Sequence, residues 1–230
     1  MAALTTDQIE CLLNCIVANS THVLGAFPAN CVPIQCAASA THQLILQSNL
    51  ATVGERHPQL DAKQHYCFIL NTHTSDLPGE HWLAFFFNGS TQQLEYFDSF
   101  DLPLAIYTNV KSALDSHRLL PLCVRANTLG MIQAMNSAVC GHYCVAFLFW
   151  RATHTSSPLT NFAHTIMNSH TAAQQRDMLI VARLRAVAAK HPCCRTLLSG
   201  HSGSQTPCIS RFSQSCCCCR DSYPSGCTHI

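Results

Sequence analysis

Charged side chains are scarce in this sequence of 230 residues. Only 11% of the residues are Asp, Glu, Lys or Arg, and the two signs nearly cancel, which leaves a formal net charge of +1. A nucleic acid or an anionic membrane as the main partner would call for a basic excess, so this balance favours neither. Because 48% of the residues are apolar, the composition is that of a globular protein and not of a disordered one.

Long apolar runs are also missing from the sequence. No stretch reaches the roughly 18 consecutive apolar residues that a transmembrane helix needs, so we expect no membrane span. The first residues, MAALTTDQIECLL, have neither a basic start nor a cleavable apolar run, which argues against secretion. We therefore expect the protein to reside in an intracellular, reducing compartment.

Cysteine, by contrast, is abundant, with 16 residues in two groups. Eight lie before residue 145 and eight follow from Cys193 onward, four of them consecutive at Cys216–Cys219. In a reducing compartment a disulfide framework is the weaker interpretation. Residues 192–230 are rich in Cys and Ser and have few periodic apolar residues, so we interpret them as a disordered tail. Palmitoylation or metal capture at the cysteine run is the alternative interpretation.

Apolar periodicity predicts regular structure over most of the first 191 residues. Thr6 and Asp7 are expected to cap a first helix that buries its apolar side. Further helices are expected in LAIYTNVKSALDSHR, from Asn136 or Ser137 through Trp150, in PLTNFAHTIMN and in AAQQRDMLIVARLRAVAAK. Strands are expected in HYCFILN, HWLAFFF, QQLEYFDSF and LPLCVRAN. Residues 34–64 show no consistent period, and we interpret them as mostly irregular.

Two of these strands bring a histidine close to a carboxylate. HWLAFFF and QQLEYFDSF are separated by NGST, which predicts a two-residue hairpin turn. A turn at residues 89–90 places His81 opposite Asp98, and a turn at residues 88–89 makes Asp98 the diagonal neighbour of His81 on the same face. In either register an imidazole and a carboxylate meet at the open end of the hairpin.

The segment QAMNSAVCGHYC places a cysteine at the mouth of an apolar helix. With Ser137 as the cap, Cys140 falls in the first turn, where free N–H groups and the helix dipole favour a thiolate. A thiolate attacks carbonyl carbon when a histidine activates it and a carboxylate orients that histidine. The backbone N–H of Cys140 and the side-chain amide of Gln133 are candidate donors to the resulting oxyanion.

The alternative for Cys140 alone is an inert, buried thiol, which is the commoner role of cysteine. Its combination with His81, Asp98 and Gln133 favours catalysis instead. Cys144 lies one turn deeper on the same helix face and is expected in the core. A metal site is not expected here, because Cys140 and Cys144 lack two further ligands at a familiar spacing.

The motifs resemble those of the adenain and ubiquitin-like-protein protease superfamily of cysteine proteases. A His-Trp pair opens a strand at His81 and Trp82, and the acid follows on the next strand in EYFDSF. Gln133 precedes Cys140 by seven residues, and the cysteine starts a buried helix in NSAVCGHYC. FILNTHTSDLPGEHW and EYFDSFDLP look most like the adenain-type proteases of Polinton-like transposons and related DNA viruses.

The resemblance implies an α+β fold in which helices flank a central mixed β-sheet. The catalytic Cys140 is then expected at the N-terminus of a buried helix. The resemblance also implies one adenain-like protease domain over residues 1–191, in which residues 34–64 look like an insertion. Residues 192–230, the Cys- and Ser-rich tail, have no counterpart in the family.

The resemblance also implies a role for each motif residue. Cys140, His81 and Asp98 would form the catalytic triad, and Gln133 would complete the oxyanion hole. Trp82 would roof a narrow channel over the substrate backbone, which glycine fits because it lacks a Cβ atom. No metal or cofactor is implied.

The function implied is that of a cysteine endopeptidase that cleaves viral or mobile-element structural precursors, such as capsid precursors, at Gly-containing sites. An activating peptide is compatible with the family, whereas the near-neutral charge does not favour activation by DNA. The expected location is the nucleus or cytoplasm of a host cell, or a virion. The alternatives are an isopeptidase for SUMO or another ubiquitin-like modifier, and a catalytically inactive binding module, against which the intact motif argues.

Overall fold

The computed structural model describes residues 3–16, 21–36, 44–46, 59–126, 129–169, 172–191 and 194. Its helices are α1 (Thr6–Ile16), α2 (Thr108–Ser116), α3 (Cys140–Thr153), α4 (Asn161–Ser169) and α5 (Ala173–Ala188). Its strands are β1 (Thr21–Phe27), β2 (Ile34–Cys36), β3 (Leu44–Leu46), β4 (Gln59–Leu60), β5 (His65–Asn71), β6 (Trp82–Asn88), β7 (Gln93–Phe97) and β8 (Cys123–Arg125). Within these ranges, no helix combines the length and the apolar character that crossing a membrane requires.

The main sheet has five strands in the order β1-β5-β6-β7-β8. The inner pairs β5–β6 and β6–β7 are antiparallel, whereas the outer pairs β1–β5 and β7–β8 are parallel. The expected α+β fold with a central mixed sheet is therefore confirmed. Strands β2, β3 and β4 form a separate antiparallel sheet, so the described parts of residues 34–64 have regular pairing that the sequence did not indicate.

Both faces of the main sheet are covered, which explains the apolar runs in the sequence. Ala84 and Phe86 of β6 pack into one core with α1, α3, α4 and α5. Leu83, Phe85 and Phe87 of the same strand pack into a second core with α2. A strand buried on both sides needs apolar residues at odd and even positions alike, and WLAFFF supplies them.

The first helix begins with a different cap from the expected one. The Thr5 hydroxyl accepts a hydrogen bond from the Gln8 N–H at 3.3 Å, and the Gln8 side chain accepts one from the Thr5 N–H at 3.0 Å. This reciprocal pair is a capping box. Thr6 and Asp7 therefore lie inside the helix, and the prediction that they form its cap is wrong.

The hairpin between β6 and β7 has neither of the two expected registers. Ala84 pairs with Phe97 and Phe85 with Tyr96, so the connection is the longer loop of residues 89–92. Both two-residue turns were therefore wrong. Each β6 residue faces a β7 residue that lies two or four positions later than the two expected registers place it. Because both shifts are even, every side chain stays on its expected face of the sheet. Consequently, His81 and Asp98 still belong to the same face.

Helix α3 begins later than the expected cap. Val139 is its N-cap residue and makes no side-chain capping bond, while the Ser137 hydroxyl donates to the Ala134 carbonyl at 3.0 Å. Neither Asn136 nor Ser137 caps the helix, which starts at Cys140 itself. Farther along the chain, LAIYTNVKSALDSHR was expected to form one helix, but its first residues form a separate 3₁₀ turn before α2, in which Ile106 is 56% exposed.

A buried ion pair fixes the C-terminal half of α3 on the sheet. Arg151 donates to both carboxylate oxygens of Glu95, at 2.5 and 2.7 Å. Asn88 donates to the same carboxylate at 3.1 Å, and Arg151 also reaches the Ser157 carbonyl at 3.0 Å. A bidentate pair with its remaining donors satisfied is a geometrically specific anchor. It sets the position of the helix whose other end carries Cys140.

Most of the predicted tail, residues 192–230, lies outside the residues that the structure describes. Of residues 192–230, the structure describes Cys194. This residue is fully buried and belongs to the same core as α1 and α5. The interpretation of the remaining tail, including Cys216–Cys219, as disordered lies outside the described residues.

Candidate active site

His81 and Asp98 meet at the open end of the β6–β7 hairpin. His81 directly precedes β6 and Asp98 directly follows β7. The His81 Nε2 atom lies 2.6 Å from Asp98 Oδ1, and both side chains are almost completely buried. The backbone of His81 is held in turn by the Thr72 N–H, which donates to its carbonyl at 2.9 Å. Because Nε2 is engaged, Nδ1 is the ring nitrogen left for a thiol.

The Asp98 carboxylate accepts hydrogen bonds at both of its oxygen atoms. Oδ1 accepts from His81 and from the Phe100 N–H at 3.0 Å. Oδ2 accepts from the Leu102 N–H at 3.0 Å and from the Tyr107 hydroxyl at 2.8 Å. Burial raises the pKa of Asp98, but these donors, His81 above all, outweigh burial and keep that pKa below its usual value. Asp98 is therefore a fixed carboxylate.

The surroundings of His81 raise the pKa of its imidazole and so favour the protonated form. Burial by itself lowers the pKa of His81, but hydrogen bonds to Asp98 and Cys140 outweigh burial and raise the pKa to about 9. The ring also stacks against Phe100 and Tyr107, with centroids 4.9 and 5.8 Å apart. A charged, clamped imidazolium beside Cys140 is the partner that stabilises a thiolate.

Cys140 occupies the first position of α3 and is 6% exposed. Because Val139 provides no side-chain cap, the first N–H groups of the helix are not taken by a capping side chain. These N–H groups and the positive end of the helix dipole converge where an anionic sulfur or oxygen would form. Cys144 is fully buried one turn on and donates to the Trp82 carbonyl at 3.1 Å, so its expected place in the core is confirmed.

Gln133 is held by the residue that follows Asp98. The Ser99 hydroxyl donates to Gln133 Oε1 at 2.6 Å, and the Gln133 amide nitrogen donates to the Ser137 carbonyl at 2.8 Å. The Ser99 carbonyl also accepts from the N–H groups of Ile132 and Gln133, at 3.0 and 3.2 Å. Since Oε1 is engaged by Ser99, the amide is locked with its donating side toward the loop that leads to Cys140.

Helix α5 supports the same loop from behind. Arg176 donates to the Ile132 carbonyl at 3.0 Å. Asp177 accepts from the Tyr143 hydroxyl at 3.0 Å and from the Ala134 N–H at 3.4 Å. Asp177 is fully buried, and a buried carboxylate is costly unless such donors satisfy it. The loop that carries Gln133 is thus fixed on two sides.

Trp82 lies between the site and an open cleft. Its side chain is partly exposed and so close to α3 that a Cβ atom on Gly141 would lie 3.4 Å from its ring. Beyond it is a cleft of about 240 Å³ whose walls include the loop before β6, residues 73–75 and 77–79. Leu77 on this loop is 47% exposed. Trp82, which directly follows His81 in sequence, forms part of the wall of this cleft.

The structure brings His81, Asp98 and Cys140 together and holds Gln133 on the loop that leads to the cysteine. It also shows two residues that the sequence motifs did not include, Tyr107 on Asp98 and Ser99 on Gln133. A single tyrosine or serine has no spacing that signals such a role. Ser99 could have been suspected only from its place next to the acid in EYFDSF.

The chain matches the model of a known protein family. The family model described as adenovirus endoprotease matches residues 50–191, more than half of the chain and all the site residues discussed above. No curated protein sequence matches the chain. Among solved structures, the chain is similar to ChlaDub1 from Chlamydia trachomatis, with a TM-score of 0.45 and 16% identity over 82% of this chain and 93% of that chain.

Replacement of Ser99 by Ala is expected to impair peptide hydrolysis without unfolding the protein. The variant removes the hydroxyl that orients the Gln133 amide, so kcat should fall by about tenfold, less than the 10²–10³-fold typical of deleting an oxyanion donor. KM should change little, because the ground state does not use this bond. Ser116→Ala, the same change at an exposed site on α2, is the control. A Ser99→Ala enzyme with unchanged kcat would contradict the orienting role.

The pH at which kcat/KM declines on the alkaline side should depend on Asp98. The imidazolium of His81, whose pKa is about 9, persists up to that pH, so kcat/KM should decline as the pH rises through about 9. Asp98→Asn removes the main contact that raises this pKa, which should move the decline to lower pH. Asp115→Asn, at an exposed position on α2, is the control. A profile of kcat/KM and of Cys140 alkylation from about pH 6 to about pH 10 measures the shift, and an unmoved limb would show that Asp98 does not set the charge of His81.

Proposed function

The chain belongs to the adenovirus endoprotease family of cysteine peptidases, and we propose that it hydrolyses peptide bonds with Cys140 as nucleophile. His81 is the general base and acid in this proposal, Asp98 orients His81, and Gln133 contributes to the oxyanion hole. The observation that carries the proposal is the buried 2.6 Å contact between His81 and Asp98 beside a cysteine at an uncapped helix start.

Acylation begins when the thiol proton resides on His81 Nδ1. The Cys140 sulfur attacks the scissile carbonyl carbon, a C–S bond forms, and the carbonyl oxygen becomes an oxyanion. His81 then gives its proton to the leaving nitrogen, the C–N bond breaks, and the amine product departs. Throughout these steps Asp98 keeps the imidazole oriented through Nε2 and stabilises its charged form.

Deacylation uses the same groups in the reverse roles. His81 takes a proton from a water molecule, whose oxygen attacks the thioester carbon. The C–S bond breaks as the second tetrahedral intermediate collapses, the acid product leaves, and the proton on His81 returns to the sulfur. The N–H of Cys140 and the amide of Gln133 are placed to donate to the oxyanion in both halves.

Loss of the thiol tests this assignment directly. Cys140→Ala should abolish hydrolysis of a peptide substrate, because Cys140 is the described thiol that hydrogen-bonds to His81. The variant should melt at nearly the same temperature as the parent, since it removes one small, nearly buried atom. Cys31→Ala, at a half-buried cysteine in the loop between β1 and β2, is the matched control. Hydrolysis that survives in Cys140→Ala would refute the assignment.

The proposed substrates are structural precursors of a virus or mobile element, cleaved after small residues. Two observations support an extended protein substrate: the open cleft beside Trp82, and exposed apolar residues around the site, namely Leu77, Met131 and Met135. Exposed apolar side chains beside a cleft are typical of binding surfaces. The indole of Trp82 lies next to Gly141 at the start of α3, and in our proposal it narrows the channel that holds the substrate backbone.

We expect Gly-Gly or Gly-X to be the preferred residues before the scissile bond. Only glycine lets the substrate backbone lie against the indole without a Cβ atom. Trp82→Ala should accept larger residues and lose kcat, because positioning contributes strongly to acyl transfer. A peptide library digested by both enzymes and read by mass spectrometry measures the change. A parent preference for Phe, Leu or Arg would contradict the role of Trp82.

The same experiment can be extended to distinguish the two substrate classes. Structural-protein precursors and precursors of ubiquitin-like modifiers both offer glycine-containing sites. Faster cleavage of the structural precursors is the expected result. Faster processing of a ubiquitin-like precursor would assign the enzyme to modifier release instead, while leaving the catalytic roles of Cys140 and His81 intact.

A further inference from the structure

Three cysteines converge on the side of α1 away from the catalytic residues discussed above. Cys11 and Cys15 lie one helical turn apart on α1, and Cys194 lies beyond the end of α5. Their three sulfur atoms all lie within 4.8 Å of one another. Cys194 is buried, and the other two are half-buried. No motif used for the proposed function includes any of them.

We propose that Cys11, Cys15 and Cys194 bind a single thiophilic cation, with Zn²⁺ as the foremost candidate. Each Zn–S bond is about 2.3 Å long, so sulfur atoms that share one tetrahedral ion lie about 3.8 Å apart. The observed limit of 4.8 Å for all three pairs is close to this spacing. The fourth coordination position is left for a water molecule or another donor.

The sulfur atoms of Cys11 and Cys194 lie closer together than two ligands of one ion, so ion binding would move them apart by about 1 Å. Their sulfur atoms are 2.8 Å apart and come from positions 183 residues apart in sequence, whereas a disulfide bond is about 2.05 Å long. Cys15 lies within reach of both, so a cation can use all three sulfurs, whereas a disulfide would use two. Each thiol that becomes a ligand gives up its proton to solvent on binding.

The ion would join two parts of the chain that flank the catalytic helix. Helix α1 packs against the start of α3 so closely that a Cβ atom on Gly141 would lie 3.2 Å from Ile9 and 3.4 Å from Leu4. Cys194 would be tied to the half-buried side of the same helix. A bound cation would therefore hold the segment after α5 on α1, and through α1 it would stabilise the packing beside Cys140.

A cobalt titration tests the site on the full-length chain. The starting protein carries Ser at Cys216–Cys219, so that this run of cysteines does not contribute to the signal. We expect one Co²⁺ per chain with a thiolate-to-cobalt absorption band, which Zn²⁺ abolishes by displacement. Cys11→Ser, Cys15→Ser and Cys194→Ser should each weaken binding by about tenfold or more. Cys31→Ser and Cys140→Ala should bind as the parent does.

Melting temperatures provide a second measurement that does not depend on peptide hydrolysis. Roughly a hundredfold excess of Zn²⁺ over its Kd should raise the melting temperature of the parent by about 5–10 °C. Cys15→Ser, at a half-buried position, should fold without metal and lose this increase.

Three outcomes would overturn the proposal. They are the absence of the cobalt band, a band that survives all three cluster substitutions, and a Cys11–Cys194 disulfide found by peptide mapping of the protein purified with reductant. None of them bears on Cys140 as nucleophile, so failure here is separable from failure of the proposed peptidase activity.

Discussion

The Asp98 carboxylate is the constraint on which the site depends. A buried carboxylate is stable only when donors compensate for the water it has lost, and here four donors do so. Two of them are backbone N–H groups of the turn that follows β7, one is the hydroxyl of Tyr107 just before α2, and one is His81. The Asp98 carboxylate thus keeps His81 protonated and also holds the turn that follows β7.

That turn also positions the other half of the site. Ser99 holds the Gln133 side chain and main chain. Asp101, in the left-handed region with a φ of 57°, accepts from Arg125 at 2.6 Å and from the Gly130 N–H at 2.7 Å. Residues 98–101 therefore connect the base, the oxyanion donor and the loop between β8 and α3. Because Ser99 is bonded to Gln133, a displacement of this turn would move both the Asp98 carboxylate and the Gln133 amide.

The parts of the fold that could be predicted are those whose signal is local. Strands β5 and β6 were visible because burial on both faces leaves continuous apolar runs. Strand β1 was missed because it is a parallel edge strand whose partner β5 lies far along the chain, and Gly25 interrupts its pairing at a φ of 122°. The hairpin register was missed because the Gln92 side chain closes the loop through the distant Ala62 carbonyl, a contact that no local pattern encodes.

The same distinction between local and distant signals applies to the chemistry. His81, Asp98, Gln133 and Cys140 each belong to a short motif, so their roles could be proposed from the sequence. Tyr107 donates to the Asp98 carboxylate, whereas Asp177 accepts from Tyr143 and Ala134. Each of these contacts joins different elements, so such a role exists only once the elements pack. The start of α3 has no side-chain cap because the residue at the cap position is Val139. The proposed use of its N–H groups depends on a bound substrate. A Ser or Asp at position 139 would have taken the N–H groups that an oxyanion needs, whereas Val139 leaves them to the substrate. In the proposed mechanism, a side-chain cap and an oxyanion would compete for the same N–H donors, and Val139 leaves these donors uncapped.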